Sequence, residues 1–206
     1  MSQLPDLALE IRRGASIRIP IRVETEVLRF VGIADMSTSA PISIAAPSHG
    51  LPDGWRTGIM NAGGMTELNS EWNNLQDSRM YKVVFVDSDT IELPDVNSSG
   101  FRTYTFGGQL AYYEPLDLSQ FTSARMDVKA DARGSALASY STTAGTLKID
   151  LANCALWLVL TPVESSALAA KVRVFDIELV RADGSVFPIC SAKSTLTVLP
   201  EITTSV

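Results

Sequence analysis

A single histidine, His49, stands in the stretch Ser48-His49-Gly50-Leu51-Pro52-Asp53-Gly54-Trp55, with a serine beside it and an aspartate four residues on. These residue types are the parts of a hydrolase: His49 as general base, Asp53 orienting its ring, and Ser48 or Ser70 as nucleophile. The spacing argues against that use. Groups within one turn rarely bring nucleophile, base and orienter into line, and the sequence has no G-x-S-x-G elbow. Gly50, Pro52, Asp53 and Gly54 instead spell a reversal between two strands, with His49 hydrogen-bonding locally and Trp55 packed on the body of its domain. On this reading no catalytic residue is assigned and the protein is not an enzyme. His49→Gln is then tolerated, whereas Gly54→Val damages folding if the backbone there needs a positive φ.

The other chemistry-bearing residues lead to similar readings. Asp87 with Asp89, and Asp95 with Asn97, have the alternate spacing of calcium ligands, but neither pair belongs to a D-x-D-x-D-G run with a distal glutamate. Asx turns explain them, and no metal is expected. The glycines of NAGGMTELN and YTFGG do not precede helices, so their amides have no helix N-terminus with which to cradle phosphate; they read as loop glycines, and no cofactor is assigned. Cys154 and Cys190 lie in apolar surroundings without a CxxC motif, which favours two buried reduced thiols over a disulfide. The aromatics Trp55, Trp72, Phe101, Tyr104, Tyr112 and Tyr113 lie among polar loops and suit either a sugar-stacking platform or ordinary packing. Of these, Trp72, Trp55, Phe101, Tyr112 and Tyr113 are the candidate interface residues.

The elements that must position these side chains are strands. In 206 residues, 46% of them hydrophobic, there is ample material for a core. The 17 Lys and Arg are scattered singly among 23 Asp and Glu, for a net charge of -6, so no basic stripe exists for nucleic acid. No apolar run is long enough for a signal h-region or a membrane-spanning helix, and the chain is expected to be made in a cytoplasm and to have no membrane partner. Apolar residues alternate with period two in SIRIPIRV (Ile17, Ile19, Ile21, Val23), where Pro20 suggests an edge or a bulge. The same period recurs in PISIAAP, MYKVVFVD (Tyr81, Val83, Phe85), TIELP, ARMDVKA, TLKIDL (Leu147, Ile149, Leu151), VRVFDIELV and STLTVLP. Only TPVESSALAAK predicts a helix, with Thr161 as N-cap, Pro162 at the first position and Glu164 three residues after the cap.

This is an all-β pattern with one short helix. Residues 28–108 are denser in Gly, Asn, Ser and Asp turns than the flanks, which predicts a small β-barrel-like domain inserted into a β-sandwich-like domain made of residues 1–27 and 109–206. A strand ending at Val23 and another following LDLSQFTS are then expected as neighbours in one sheet.

Three motifs recur in order along the flanks: Asp117-Leu118-Ser119 with Phe121, then Phe175-Asp176-Ile177-Glu178-Leu179, then Pro200-Glu201-Ile202-Thr203. In that order they resemble the N-terminal domain of phage baseplate upper proteins. The insert, through LRFVGIADMSTSAPISIAAPSHGLPDGW, GGMTELN, YKVVFVDSDTIELPDVNSSGF and YTFGG, resembles the small FCCH-like β domain of ubiquitin-activating enzymes, which recurs in phage tail proteins. The insert has no cysteine and the chain has no adenylate-binding domain, so ubiquitin chemistry is not implied. The resemblance implies a structural virion protein of a tailed phage, a tail or baseplate adaptor acting by association. Its implied partners are other tail, baseplate or fibre proteins and symmetric copies of itself. The flanking domain would be the particle anchor, and the insert would present its loops to a neighbour or to the outside. A module binding host-surface glycan through the insert's aromatics is the alternative.

Overall fold

The structure, a computed structural model, describes residues 4–71 and 79–201. β1 (Ala8–Arg12) and β2 (Ile17–Arg22) open the chain. They are followed by β3 (Glu24–Gly32), β4 (Asp35–Met36), β5 (Ile42–Ala45), β6 (Arg56–Met60), β7 (Tyr81–Lys82), β8 (Val84–Phe85), β9 (Thr90–Leu93) and β10 (Gln109–Pro115). Then come β11 (Phe121–Lys129), β12 (Ala136–Ser141), β13 (Leu147–Asp150), β14 (Ala155–Leu160), β15 (Val172–Arg181), β16 (Val186–Pro188) and β17 (Thr195–Leu199). The one α-helix among the described residues, α1, is Pro162–Ser166. The protein is all-β, and it divides into a flanking unit, Met1–Val23 with Asp117–Val206, and an inserted unit, Glu24–Leu116.

The flanking unit has two sheets, one in the order β1-β17-β15-β11-β12 with β16 also paired to β15, the other in the order β13-β14-β2. Period-two patterning sets the buried rows: Ala124, Met126 and Val128 on β11, Phe175, Ile177 and Leu179 on β15, and Leu156, Leu158 and Leu160 on β14. The first 22 residues supply an edge strand to each sheet, β1 running parallel to β17 and β2 antiparallel to β14. The strand before Val23 and the strand after LDLSQFTS therefore lie in different sheets, contrary to the expectation that they pair. Both sides of β11 are taken by β12 and β15. β2 carries Pro20, which cannot donate to a ladder, and takes the edge beside β14.

α1 forms where the cap signal places it. Thr161 Oγ1 accepts from the Glu164 N–H at 3.3 Å, and Glu164 Oε2 accepts from the Thr161 N–H at 2.7 Å. These bonds to Thr161 hold the Glu164 carboxyl below its ordinary value. Ser165 Oγ donates to the Ala15 carbonyl at 2.8 Å, fastening this single turn to the link between β1 and β2.

The alternation fails at Leu151, which is exposed, because β13 stops one residue earlier. There the Asp150 carboxylate accepts from the Asn153 side chain and from Trp157 Nε1 and closes a turn, and Asn153 first, with the indole N–H adding to it, draws its pKa down. Cys154 sits at the end of that turn with φ +47° and is half-buried, not buried as expected; Cys190 is buried, and both thiols are free. Burial pushes both thiols up, with Asp117 and Asp150 adding to the effect at Cys154. At neutral pH, DTNB should therefore titrate one thiol slowly in the folded protein and the second only after denaturation. Two fast, equivalent thiols would contradict this placement.

The inserted unit has sheets in the orders β3-β10-β6-β7 and β4-β5-β9-β8. β3 and β10 form one antiparallel ladder from Gly32 opposite Gln109 to Glu24 opposite Pro115, so the unit's first and last residues are neighbours in its own sheet. That pairing sets the edges of the unit at 23/24 and 116/117, not at 27/28 and 108/109. Instead of one strand, MYKVVFVD gives two, β7 and β8, in different sheets. Between them Val83 is fully buried and exchanges backbone bonds with Gly54 and Trp55, while Phe85 is left 46% exposed.

Two glycine loops lie back to back in this unit. Gly63 bridges Phe106, its N–H donating to the Phe106 carbonyl at 2.9 Å and its carbonyl accepting from Thr105 at 3.0 Å. Gly64, at φ +80°, approaches so closely that a Cβ there would lie 2.1 Å from the Thr103 carbonyl oxygen. This close approach needs the glycines of NAGG, while Gly108 of TFGG, at φ +88°, packs against Ala62, whose Cα lies 2.9 Å from where a Cβ would be.

Candidate functional site

His49 is 1% exposed, and both ring nitrogens are engaged by backbone. The Leu51 N–H donates to Nδ1 at 3.0 Å, so the ring hydrogen sits on Nε2 and is donated to the Asp87 carbonyl at 2.8 Å. The His49 N–H donates to the Ser88 carbonyl, its own carbonyl accepts from the Tyr112 hydroxyl, and the ring packs edge-on to Phe85. Ser48 donates through its backbone N–H to the Asp89 carboxylate, and Ser70 Oγ donates to the Arg79 carbonyl while accepting from the Ile59 N–H. Asp53 accepts from the Phe85 N–H at 3.1 Å. The side chains of His49, Ser70 and Asp53 are thus engaged by backbone, Ser48 is tied through its N–H to the Asp89 carboxylate, and the four do not form a nucleophile–base–orienter line.

Sequence reasoning found the turn but understated the histidine, which clasps residues 48–51 to residues 87–89. His49→Gln, expected from sequence to be tolerated, should instead cost about 1–3 kcal/mol, because one amide cannot serve both partners and a buried backbone group loses its bond. Urea denaturation compared with the parent chain checks this, and an unchanged midpoint would count against the clasp.

The remaining sequence candidates separate widely. Trp55 is 1% exposed and donates its indole N–H to the Tyr113 carbonyl at 3.0 Å, and Tyr112 is 3% exposed, so both belong to the core of the unit and not to a surface. Tyr113 is half-buried. Tyr104 bonds through its hydroxyl to the carbonyls of Ile33 and Gly107. Trp72 lies outside the described residues. Asp87 accepts from the Asp89 N–H, and Asn97 from the N–H and hydroxyl of Ser99. No group of three or more potential metal-ligating side chains occurs among the described residues.

Phe101 lines a cavity, an open cleft of about 490 Å³ bounded by Glu67, Leu68, Arg79, Tyr81, Asp95, Val96, Asn97 and Phe101. A 3-10 turn over Thr66–Leu68 forms one wall, and two side chains bond its carbonyls: Arg79 Nη1 to that of Glu67 at 2.6 Å and the Tyr81 hydroxyl to that of Leu68 at 3.0 Å. The opposite wall, residues 95–101, hangs from buried Ser98, whose hydroxyl donates to the Ser39 carbonyl at 2.8 Å while accepting from the Ser39 N–H at 2.9 Å. Glu67 pairs with Arg102 at 3.1 Å, and its carboxyl is held low first by its own backbone N–H and then by Arg102. Burial raises the Tyr81 phenol. Sequence gave no signal for Glu67, Arg79 or Tyr81 as companions of Phe101. They come from separate loops and meet only because β7 follows the 3-10 turn across the same end of the unit.

No protein-family model matches the chain, and no curated protein matches it in sequence. No helix among the described residues is long and apolar enough to cross a membrane.

Proposed function

We propose that the protein works by association, as a structural component of a tailed-phage virion: a tail or baseplate adaptor whose partners are other tail, baseplate or fibre proteins and further copies of itself. The observation that carries this reading is where the resembling motifs fall. Asp117-Leu118-Ser119 forms the capped turn that leads into β11, the Asp117 carboxylate accepting from the Ser119 N–H at 3.0 Å. Phe175 to Leu179 lie on β15, hydrogen-bonded along the same β11, with Phe175 opposite Val128 and Leu179 opposite Ala124. The strand that the first motif leads into is thus paired with the strand that carries the second, more than fifty residues on, which suits their belonging to a single domain. In this proposal the flanking unit anchors to the particle and the FCCH-like insert meets a neighbour.

Peptide mass spectrometry and imaging of purified particles test the proposal. It expects stoichiometric protein at a symmetric position in the tail; absence from the particle, or hydrolysis of an ester or polysaccharide by the recombinant chain, overturns it. A glycan-binding role for the insert is a second reading, favoured by the cleft beside Phe101.

A further inference from the structure

We propose that the cleft formed by Leu68, Tyr81, Val96 and Phe101 is a binding site for an uncharged, hydroxyl-rich ligand, a neutral glycan. Its volume, about 490 Å³, falls among those of small-ligand sites, roughly 300–1,000 Å³. Its walls combine two aromatic rings and two aliphatic side chains with a rim of Glu67, Arg79, Asp95 and Asn97. Pyranose rings present this combination in reverse, with apolar C–H faces that stack on aromatic rings and a circumference of hydroxyls that both donate and accept.

Charge distinguishes a neutral ligand from a charged one. Glu67 is balanced by Arg102, its ion-pair partner, and Asp95 faces the same cleft as Arg79, so the site carries no net charge. A cationic peptide side chain would meet Arg79, and a phosphate or uronate would meet two carboxylates. Hydroxyls suit both signs.

The rim also offers hydrogen-bonding capacity that the protein does not use. Asp95 is exposed, and its carboxylate has no partner among the described residues. Asn97 commits its Oδ1 to Ser99, leaving its NH₂ as the donor end. Glu67 Oε2 is shielded from solvent and has no hydrogen-bond partner, while Oε1 is held by Arg102. The backbone around the cleft is already fixed by the bonds of Arg79, Tyr81 and Ser98, so little ordering is required on binding.

This inference rests on the second reading, that the insert binds glycan, and not on the virion reading. It is tested with the full chain by a glycan array, followed by saturation-transfer-difference NMR and titration with the neutral trisaccharides cellotriose, maltotriose, mannotriose and chitotriose. Trigalacturonate and trilysine serve as anionic and cationic comparators. The expected result is binding of at least one neutral glycan, with strongest saturation on ring C–H protons, and an affinity loss of about tenfold or more in both Asp95→Ala and Phe101→Ala, as expected for losing one charge-assisted hydrogen bond or one stacking face. Asp95→Ala should leave the thermal transition in place, so its loss of binding cannot be a folding defect. The inference is overturned if no neutral glycan on the array binds, if only trigalacturonate or trilysine binds, or if Asp95→Ala binds as tightly as the parent chain.

Discussion

Gly64→Ala should remove a large share of the stability of the inserted unit. A Cβ at this position lies 2.1 Å from the Thr103 carbonyl oxygen and 2.9 Å from the Thr105 nitrogen, both backbone atoms held by the Gly63–Thr105 and Gly63–Phe106 bonds. The left-handed conformation alone costs a non-glycine residue about 1–2 kcal/mol, and overpacking against backbone adds about 1–3 kcal/mol. A combined loss of about 2–5 kcal/mol is a large share of the roughly 5–15 kcal/mol that holds a typical domain together. Gly50→Ala separates the two causes. Its φ is +66°, but its Cβ meets only the Tyr112 hydroxyl at 3.5 Å, an ordinary contact, so it should lose about 1–2 kcal/mol from conformation alone. Thermal melts with limited proteolysis should show cleavage within residues 24–116 for Gly64→Ala but not for Gly50→Ala. Equal stability of the two variants would mean that the loops part freely and that the close approach is not needed.

The second large effect is a deletion that the flanking unit survives. Glu24 and Pro115 face each other in the β3–β10 ladder, and residues opposite one another in such a ladder have Cα atoms about 4.5–5.5 Å apart. A linker of a few glycines and serines can therefore join Val23 to Asp117. The shortened chain keeps β1 on β17, β2 on β14, and the buried rows of β11, β14 and β15. It also leaves Trp157 as the only tryptophan, donating to Asp150 at 3.1 Å beneath the Arg18 guanidinium. A single cooperative transition followed by Trp157 fluorescence is the expected outcome. Gradual, non-cooperative loss of signal would show that residues 24–116 contribute to the core of the flanks.

Legibility from sequence followed the range of the interactions. The capping box of α1 and the alternation of β5, β9, β11, β15 and β17 depend on residues two to four apart, and each lies where the pattern put it. Strand partners depend on contacts across the chain, and there the expectation failed: the period of SIRIPIRV fixes which side chains face inward but not that β14 is its neighbour. The split at Val83 was hidden because a buried residue that changes sheets looks like one more apolar position in a run. Aromatic residues misled in the same way. Aromatic type alone put Trp55 and Tyr112 among the interface candidates, although the turn before Trp55 and the buried row of β10 fold both rings inward. The cleft was the least legible feature, since Glu67, Arg79, Asp95 and Phe101 share no motif or period.

The position of β1 has a consequence for synthesis. Its register partners on β17 emerge from the ribosome long after it does, and the Leu7 N–H bonds Ser194 across a separation of 187 residues. The flanking unit cannot finish folding until β17 has emerged, whereas everything the inserted unit needs has emerged once Leu116 is clear. A folded insert holds Val23 and Asp117 close together, reducing a loop of residues 24–116 to a short link and lowering the entropy cost of closing it by about 3 kcal/mol. The early unit then acts as a splint for the late one. A destabilised insert should slow refolding of the flanks without altering their final stability.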